Sequence, residues 1–398
     1  MIIRNALVYT EEGRFVEKDI YIENGIFVDE LMEGGRDEVL DAQGCYAIPG
    51  LTDIHFHGCA GYDFCDGTQE AIRAIAEYEA SVGVTSIVPA TMTLDENVLV
   101  GICETAAEYV RNVKIDRAAD LCGIHLEGPF VSESKKGAQN AEFIRKPDID
   151  LYCRLDEASG HMVKLIAVAP EVDGAMEFIE WNGNSDNRFG RNGICNKSKS
   201  RQAVVSVAHT AADYETAKEA FEKGASHVTH LYNAMNPYTH RSPGVLAAAV
   251  EADAEVELIC DGVHVHPAAV RTTFKLFGDD KIIFISDSMM ATGLEDGDYQ
   301  LGGQNVIVEG NKATLKDGTI AGSVTNLLDC MRAAVLEMGI SLESAVKCAA
   351  VNPAKSVGIY DKYGSITAGK VANVVLLGKE RLDLRAVVLR GNVITQSE

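Results

Sequence analysis

The spacing of apolar and polar positions changes near residue 50 and again near residue 364. Residues 1–48 alternate over short runs, which is typical of β-strands, and the segment 21–28 contains an Asn24-Gly25 pair that favours a type I′ hairpin turn. After Pro49 the pattern becomes strand, loop and helix, repeated. From residue 364 onwards it returns to strands, at 372–377 and 386–389. The chain ends are therefore predicted to differ from its centre.

Eight apolar runs, most of them rich in valine and isoleucine, lie at 51–57, 84–90, 121–127, 163–168, 203–209, 226–231, 255–260 and 281–286. Helical patterns separate them, for example at 69–82 and 212–223. Eight βα units predict an α/β protein with a TIM-type (β/α)₈ barrel at 50–359, and an open doubly wound sheet is the alternative. The terminal segments 1–49 and 360–398 are each too small to stand alone. We expect them to form one discontinuous β-sandwich domain.

Two irregular segments interrupt this pattern. Residues 182–201 are polar, basic and rich in glycine, asparagine and serine, which predicts an exposed loop to which we assign no function. Residues 298–320 follow the eighth run and predict a β-hairpin with strands near 305–308 and 312–315. Helices are expected to resume at about residue 323.

Composition narrows the class of protein. The chain has 398 residues, 46% of them hydrophobic and 24% charged, which is typical of a globular protein. A formal net charge of −23 argues against nucleic acid and anionic membranes as partners. We see no signal peptide, no apolar run near the roughly 18 residues that span a bilayer, and no C-x-x-C pair among ten cysteines. We therefore expect reduced thiols and a cytoplasmic location.

The first apolar run ends in two histidines, His55 and His57, one residue apart. In a strand, residues two apart point to the same face, so both imidazoles can reach one point, and neutral imidazoles suit a divalent metal. The alternative is that one histidine packs in the core and the other is exposed.

Polar side chains also stand at the ends of four other runs: Glu127, His209, His230 and Asp287. The carboxyl ends of parallel barrel strands converge on one face, where barrel enzymes place their sites. Four histidines and two carboxylates at that rim predict a divalent-metal site.

Several of these residues have alternative readings. A carboxylate that is not shared between metals can take a proton from water and later pass it to a leaving amine, and Asp287 is the candidate for this role. The alternative is that Asp287 only caps the segment that follows it. His264 follows the seventh run directly, and we expect it to contact substrate. His125 is expected to be hydrogen-bonded inside the barrel, and His227 to pack.

Ordered motifs across most of the chain resemble those of one known superfamily. They are P-G-L-T-D-I-H-F-H-G at 49–58, H-L-E-G-P-F at 125–130, H-L-Y-N-A-M at 230–235, D-G-V-H at 261–264, S-D at 286–287, A-G-S at 321–323 and N-P-A at 352–354. With them the chain resembles the amidohydrolase superfamily, and within it the deacetylases of N-acetylated amino sugar phosphates. The resemblance implies a metal-dependent barrel with a small β domain.

The resemblance assigns roles to individual residues. It implies Glu127, His209 and His230 as metal ligands and Asp287 as the catalytic acid and base. Some family members lack the two histidines of the first apolar run, whereas this chain has both His55 and His57. A second ion bridged by Glu127 is therefore expected. One or two divalent ions per chain are implied, zinc first, with iron, cobalt or manganese as alternatives.

The resemblance also implies a substrate pocket. Its members would be Ala138, Gln139, Asn233, Ala234, Arg241, Asp261, Gly262, Val263, His264, Ile320, Ala321 and Gly322. Arg241 suits a phosphate because its guanidinium donates two charge-assisted hydrogen bonds. Gln139 stands where some relatives carry histidine, which puts any polarising role of that position in doubt.

The implied reaction converts N-acetyl-D-glucosamine 6-phosphate and water into D-glucosamine 6-phosphate and acetate. The implied partner is thus a small amino sugar phosphate, and the family suggests a homodimer. Three alternatives stay open: a deacetylase for the galactosamine isomer, another amidohydrolase such as a cyclic-amide hydrolase, and an inactive barrel that serves as a scaffold.

Overall fold

The computed structural model describes residues 1–31, 38–112, 116–183 and 203–396. The predicted loop at 182–201 lies outside the described residues from position 184 on. Residues 182 and 183 belong to the end of a helix.

The strands are β1 (Ile2–Tyr9), β2 (Phe15–Glu23), β3 (Ile26–Val28), β4 (Val39–Asp41), β5 (Cys45–Pro49), β6 (Leu51–Asp53), β7 (Gly58–Cys59), β8 (Tyr62–Asp63), β9 (Val84–Ile87), β10 (Ala90–Thr91), β11 (Asp120–Leu121), β12 (Ile124–Leu126), β13 (Val163–Val168), β14 (Val204–Val207), β15 (His227–Val228), β16 (Glu255–Ile259), β17 (Ile282–Ile285), β18 (Gly297–Leu301), β19 (Gln304–Glu309), β20 (Lys312–Leu315), β21 (Val374–Gly378), β22 (Leu384–Leu389) and β23 (Asn392–Gln396).

The α-helices are α1 (Gln69–Ser81), α2 (Glu96–Asn112), α3 (Ile149–Ala158), α4 (Ala175–Gly183), α5 (Tyr214–Glu222), α6 (Gly244–Glu251), α7 (Pro267–Phe277), α8 (Leu327–Leu336), α9 (Leu342–Val346) and α10 (Asn352–Ser356). A π-helical turn, Lys347–Val351, joins the last two.

All eight predicted βα strands are present, and they pair in parallel around a ring. β6 pairs with β9, β9 with β11, and β10 with β12; β12 to β17 then follow in sequence order. The segments that follow β17 and β6 are joined by backbone hydrogen bonds, from Asp287 N to His55 O at 3.0 Å and from His57 N to Ser288 O at 2.7 Å. This arrangement fits a TIM-type barrel.

Several barrel strands are shorter than the sequence predicts. The predicted strands at 51–57 and 226–231 are reduced to β6 and β15, and those at 84–90 and 121–127 are each split in two. Beyond β15 the backbone leaves the extended region, because His230 and Tyr232 have φ of 29° and 80°. Apolar runs therefore predicted the strands but not where each strand gives way to a turn.

Strands from both ends of the chain form one eight-stranded sheet. Its order is β23-β22-β21-β5-β1-β2-β3, with β4 also paired to β1. The predicted hairpin joins β2 to β3, and Asn24 and Gly25 both have positive φ, as a type I′ turn requires. One face of the sheet buries Ile3, Val8 and Val388 in an apolar cluster of its own.

A three-stranded antiparallel sheet, β18-β19-β20, follows β17. The sequence predicted its last two strands and missed β18, whose residues are mostly exposed. Leu301 and Val306 pack with Met92 and Met289, so this small sheet lies against the rim of the barrel at the C-terminal ends of its strands.

Two further properties bear on the sequence predictions. None of the helices within the described ranges is long and apolar enough to cross a membrane. Nine of the ten cysteines fall in those ranges, and all nine are free thiols.

Candidate metal and substrate site

A cavity of about 280 Å³ opens at the C-terminal ends of the barrel strands. Five predicted rim residues line it, each from the segment that follows a strand: His57 after β6, Glu127 after β12, His209 after β14, His230 after β15 and Asp287 after β17. The sixth, His55, lies outside the cavity lining but contacts Glu127.

Glu127 lies at the centre of this group. Its Oε1 is 3.0 Å from His209 Nε2 and 3.0 Å from His230 Nε2, and those two nitrogens are 3.1 Å apart. Its Oε2 accepts a hydrogen bond from Gln139 Nε2 at 2.9 Å. Gln139 is itself held by the backbone N–H of Thr93, which donates to Oε1 at 2.7 Å. Gln139 therefore orients Glu127.

His55 and His57, which follow β6, approach Glu127 from the other side. His55 Nε2 is 3.4 Å from Glu127 Oε1, and His57 Nε2 is 3.2 Å from Glu127 Oε2. Asp287 Oδ1 is 3.3 Å from His57 Nε2 and 3.7 Å from His55 Nε2. Both rings point into the site, as predicted, even though β6 ends before either residue.

The tautomers of two histidines fit a metal site. His209 Nδ1 is 2.9 Å from the backbone oxygen of Lys135, and His55 Nδ1 is 2.7 Å from Glu257 Oε2. When each Nδ1 donates its proton, each Nε2 presents a lone pair to Glu127. Three sets of three candidate ligand atoms result among the described residues: Glu127, His209 and His230; His55, His57 and Glu127; and, beneath the cavity, His55, His125 and Glu257. The first two share Glu127 and adjoin the cavity. Neutral imidazoles with a carboxylate are a donor set that zinc and other divalent metals prefer.

Both site carboxylates are ionised at neutral pH. Burial alone would raise the pKa of Asp287, but the hydrogen bond to His57 and the charge of His55 outweigh it and lower this pKa to about 2. Burial likewise opposes ionisation of Glu127, yet the charge of His55 and the hydrogen bonds of His209 and His230 hold its pKa well below the usual range. The neighbouring histidines supply balancing positive charge. Although burial opposes it, the charges of Glu257 and Glu127 raise the pKa of His55, and the hydrogen bonds to Asp287 and Glu127 raise the pKa of His57 to about 10. A bound divalent cation would replace those protons, because metals bind the neutral imidazole.

The backbone at three site residues lies in the left-handed region. φ is 41° at His209, 29° at His230 and 50° at Asp287. Such conformations cost free energy in non-glycine residues and cluster at functional sites. Gly322 approaches this turn closely, since a Cβ there would lie 3.0 Å from the backbone oxygen of Asp287.

The structure separates the predicted substrate residues into two groups. Those that line the cavity, beside the metal-site residues, are Ala138, Gln139, Asn233, Ala234, His264, Ile320 and Gly322. Those outside its lining are Arg241, Asp261, Gly262, Val263 and Ala321. Asp261 holds the cavity-lining His264 in place: its Oδ2 is 2.7 Å from His264 Nδ1, and its Oδ1 accepts a hydrogen bond from the backbone N–H of His264. Arg241 is exposed on the loop after Ala234.

Sequence reasoning missed five residues. Four of them line the cavity: Met92 from the loop after β10, Gly137 from the loop after β12, Leu301 from β18 and Thr319 from the segment after β20. Met92 and Leu301 contribute apolar walls, and no polar signal marks them. Glu257 lies beneath the cavity on β16, fully buried and in contact with His55. An acidic residue inside the apolar run 255–260 was the signal that could have found it.

Buried histidines beneath the site behave as predicted. His125 is fully buried, and its Nδ1 is 3.3 Å from the backbone oxygen of Ile54. His227 is also buried, and its Nδ1 lies 2.9 Å from Ser206 Oγ.

The fold and this site define a metal-dependent hydrolase of the amidohydrolase class. A profile of the amidohydrolase family matches residues 46–394, and the chain belongs to that family.

Within this family, the chain is similar over nearly its full length to deacetylases of amino sugar phosphates. The chain is 36% identical over 399 residues to the N-acetylglucosamine-6-phosphate deacetylase of Bacillus subtilis, covering 99% of this chain and 96% of that protein. It is 30% identical to the N-acetylgalactosamine-6-phosphate deacetylase of Escherichia coli O157:H7, covering 94% of each. The crystal structure of N-acetylglucosamine-6-phosphate deacetylase from Pasteurella multocida superposes with a TM-score of 0.87 at 26% identity, over 100% of this chain and 99% of that one.

Proposed function

We propose that this chain hydrolyses the acetamide of N-acetyl-D-glucosamine 6-phosphate to D-glucosamine 6-phosphate and acetate, a step in amino sugar catabolism. The observation that carries this proposal is the convergence of Glu127, His209, His230 and Asp287 on one cavity. The full-length likeness to deacetylases of amino sugar phosphates supports the choice of substrate.

Glu127, His209 and His230 would hold the first divalent cation, and His55, His57 and Glu127 a second. Zinc is the first choice, because imidazole and carboxylate ligands with an open position suit it; iron, cobalt and manganese share these donors. When bound, the cation supplies a Lewis acid that polarises the amide carbonyl and strengthens water as a nucleophile at neutral pH.

Asp287 carries the proton through the reaction. Its carboxylate is ionised and faces the cavity, so it can accept a proton from the attacking water. As the C–O bond forms and the C–N bond breaks, the same group donates that proton to the departing amine. His57, 3.3 Å from Oδ1, holds the carboxylate in place.

The remaining predicted residues would bind the sugar phosphate. Asn233, Ala234, Ala138, Gln139, His264, Ile320 and Gly322 line the cavity and would contact the sugar and its acetyl group. Asp261, Gly262, Val263 and Ala321 would support this pocket from behind. Arg241, which is exposed on the loop after Ala234, would bind the phosphate, because its guanidinium can donate two charge-assisted hydrogen bonds.

We also propose the domain division and the setting of the enzyme. Residues 50–359 would form the catalytic barrel, and 1–49 with 360–398 a β-sandwich domain, which the pairing of β5 with β21 supports. The nine free cysteines support a reducing cytoplasm. A homodimer is the proposed assembly.

One alternative substrate is N-acetyl-D-galactosamine 6-phosphate, which the relative from Escherichia coli O157:H7 supports. The test is an acetate-release assay on both epimeric sugar phosphates, before and after chelation and with zinc restored. We expect the glucosamine epimer to have the higher kcat/KM, and chelation to abolish release until metal is added back. Release that survives complete metal removal contradicts the mechanism, and a preference for the galactosamine epimer contradicts the substrate.

A further inference from the structure

Glu257 is a buried carboxylate that the proposed reaction does not use. It lies on β16 in the wall of the barrel, with no exposed surface, between apolar residues of the same strand. A buried carboxylate is costly unless it is paired and hydrogen-bonded, so its contacts indicate its purpose.

Those contacts join two parts of the candidate metal site. Oε2 of Glu257 is 2.7 Å from His55 Nδ1, and it accepts a hydrogen bond of 3.0 Å from the backbone N–H of His230. The backbone oxygen of Glu257 accepts from the N–H of Leu231 at 2.9 Å. One residue therefore fixes both His55 and the turn that carries His230.

Other buried histidines nearby do not explain this carboxylate. His227 Nε2 is 3.9 Å from Glu257 Oε1, which is too long for a hydrogen bond. His125 Nδ1 lies near the backbone oxygen of Ile54, on the adjoining segment. The shortest contact of Glu257 is thus the one with His55.

The contact with Glu257 decides what His55 can do. When the ring of His55 is neutral and its Nδ1 donates to Glu257, Nε2 carries the lone pair, and this atom is buried without a hydrogen-bond partner. It points to Glu127 Oε1 at 3.4 Å. Carboxylates that hold a ligand histidine in this way orient the ring and raise its basicity.

We propose that Glu257 is a positioning residue that makes His55 a metal ligand and so controls binding of the second cation. The same carboxylate holds the His230 turn, so the first and second cation positions share one support. This inference rests on the proposed metal site and concerns only its second position.

The test is cation binding by the full chain with Glu257 replaced by leucine or glutamine. Leucine removes the acceptor at similar volume, whereas glutamine keeps an acceptor oxygen without the charge. Cobalt absorption titrations and zinc analysis at buffered free metal give the affinity of each equivalent without relying on activity. The His55→Gln variant is the reference for a chain that lacks the second cation position, and it gives the cobalt absorption and zinc content expected in that case.

Glu79 provides the matched control, because it is a second buried glutamate, on α1, and it does not line the cavity. We expect Glu257→Leu to weaken the second equivalent about 100-fold and Glu257→Gln about tenfold. The first equivalent should weaken less than the second, because His230 loses only a hydrogen bond to its backbone N–H. Glu79→Leu and Glu79→Gln are expected to bind both equivalents as the unmutated chain does.

The outcomes separate this inference from the proposed function. If the unmutated chain binds two cations and Glu257→Gln binds the second equally well, only the role of Glu257 is wrong. If the unmutated chain binds one cation, the second position and this inference both fall, while the reaction at Glu127, His209 and His230 stands. Should the leucine variant not fold, the glutamine variant alone decides, with unchanged affinity as the contradicting result.

Discussion

The rim of the barrel and the terminal sheet are built in opposite ways. At the rim, His209, His230 and Asp287 hold left-handed backbone and bring buried polar groups within 4 Å of one another. In the terminal sheet, extended strands bury apolar side chains such as Ile3 and Val388 in a cluster separate from the barrel core. The first arrangement costs folding free energy and the second supplies it.

This difference predicts that mutations in the two regions fail in different ways. Changes at the rim should remove chemistry or ligand binding while the chain stays folded. Changes in the terminal sheet should lower stability while the kinetics of the remaining folded enzyme stay constant. Four variants follow, from the largest expected effect to the smallest: two concern the site, one a buried carboxyl of helix α1 that belongs to neither region, and one the terminal sheet.

Asp287→Asn should cause the largest loss. The amide cannot accept and return a proton, so we expect kcat to fall about 10³- to 10⁴-fold, with metal content and melting temperature close to those of the unmutated enzyme. Acetate release under saturating substrate measures kcat, and metal analysis and thermal unfolding of the same preparation measure metal content and melting temperature. Activity near the unmutated level would overturn the role of Asp287.

Arg241→Leu should affect binding more than turnover. Loss of a charge-assisted contact to phosphate costs about 1.5–3 kcal/mol, which corresponds to a rise in KM of roughly 10- to 100-fold. The control substrate is N-acetylglucosamine without phosphate, for which the variant and the unmutated enzyme should perform alike. An equal loss with both substrates would show that Arg241 acts on the fold rather than on the phosphate.

Glu79→Gln should change how stability depends on pH. Burial raises the pKa of Glu79 from 4.5 to about 8 in the folded chain. Between these values the unfolded carboxyl has lost its proton and the folded one keeps it, so stability falls as pH rises through this window. The neutral amide of Glu79→Gln removes that loss. The melting temperature of the variant minus that of the unmutated chain should therefore increase from pH 5 to pH 8. A difference that is constant with pH would contradict this account.

Ile3→Val should have the smallest effect. Removing one methylene from the fully buried side chain of Ile3 costs about 1 kcal/mol of unfolding free energy. Denaturant unfolding should show this loss, while kcat and KM stay unchanged because the terminal sheet contributes none of the cavity-lining residues. A change in kcat would mean that the two regions are coupled.

Much of the architecture could be read from periodicity. The eight βα units, the Asn24-Gly25 hairpin and the C-terminal return to strands depend on local side-chain spacing, which the sequence carries directly. Element ends were less accurate, as the short β6 and β15 show. Those strands end where histidines turn towards the cavity, and tertiary contacts rather than apolar spacing decide that point.

The sequence by itself predicted which residues carry the proposed chemistry, because Glu127, His209, His230 and Asp287 each stand at the end of an apolar run that becomes a barrel strand. Only the tertiary structure decided how they are supported. Glu257 is far from His55 along the chain, Gln139 reaches Glu127 from a loop, and Leu301 completes the cavity from a separate sheet. These partners meet only because the barrel closes, and no local pattern records a contact across a closed ring of strands.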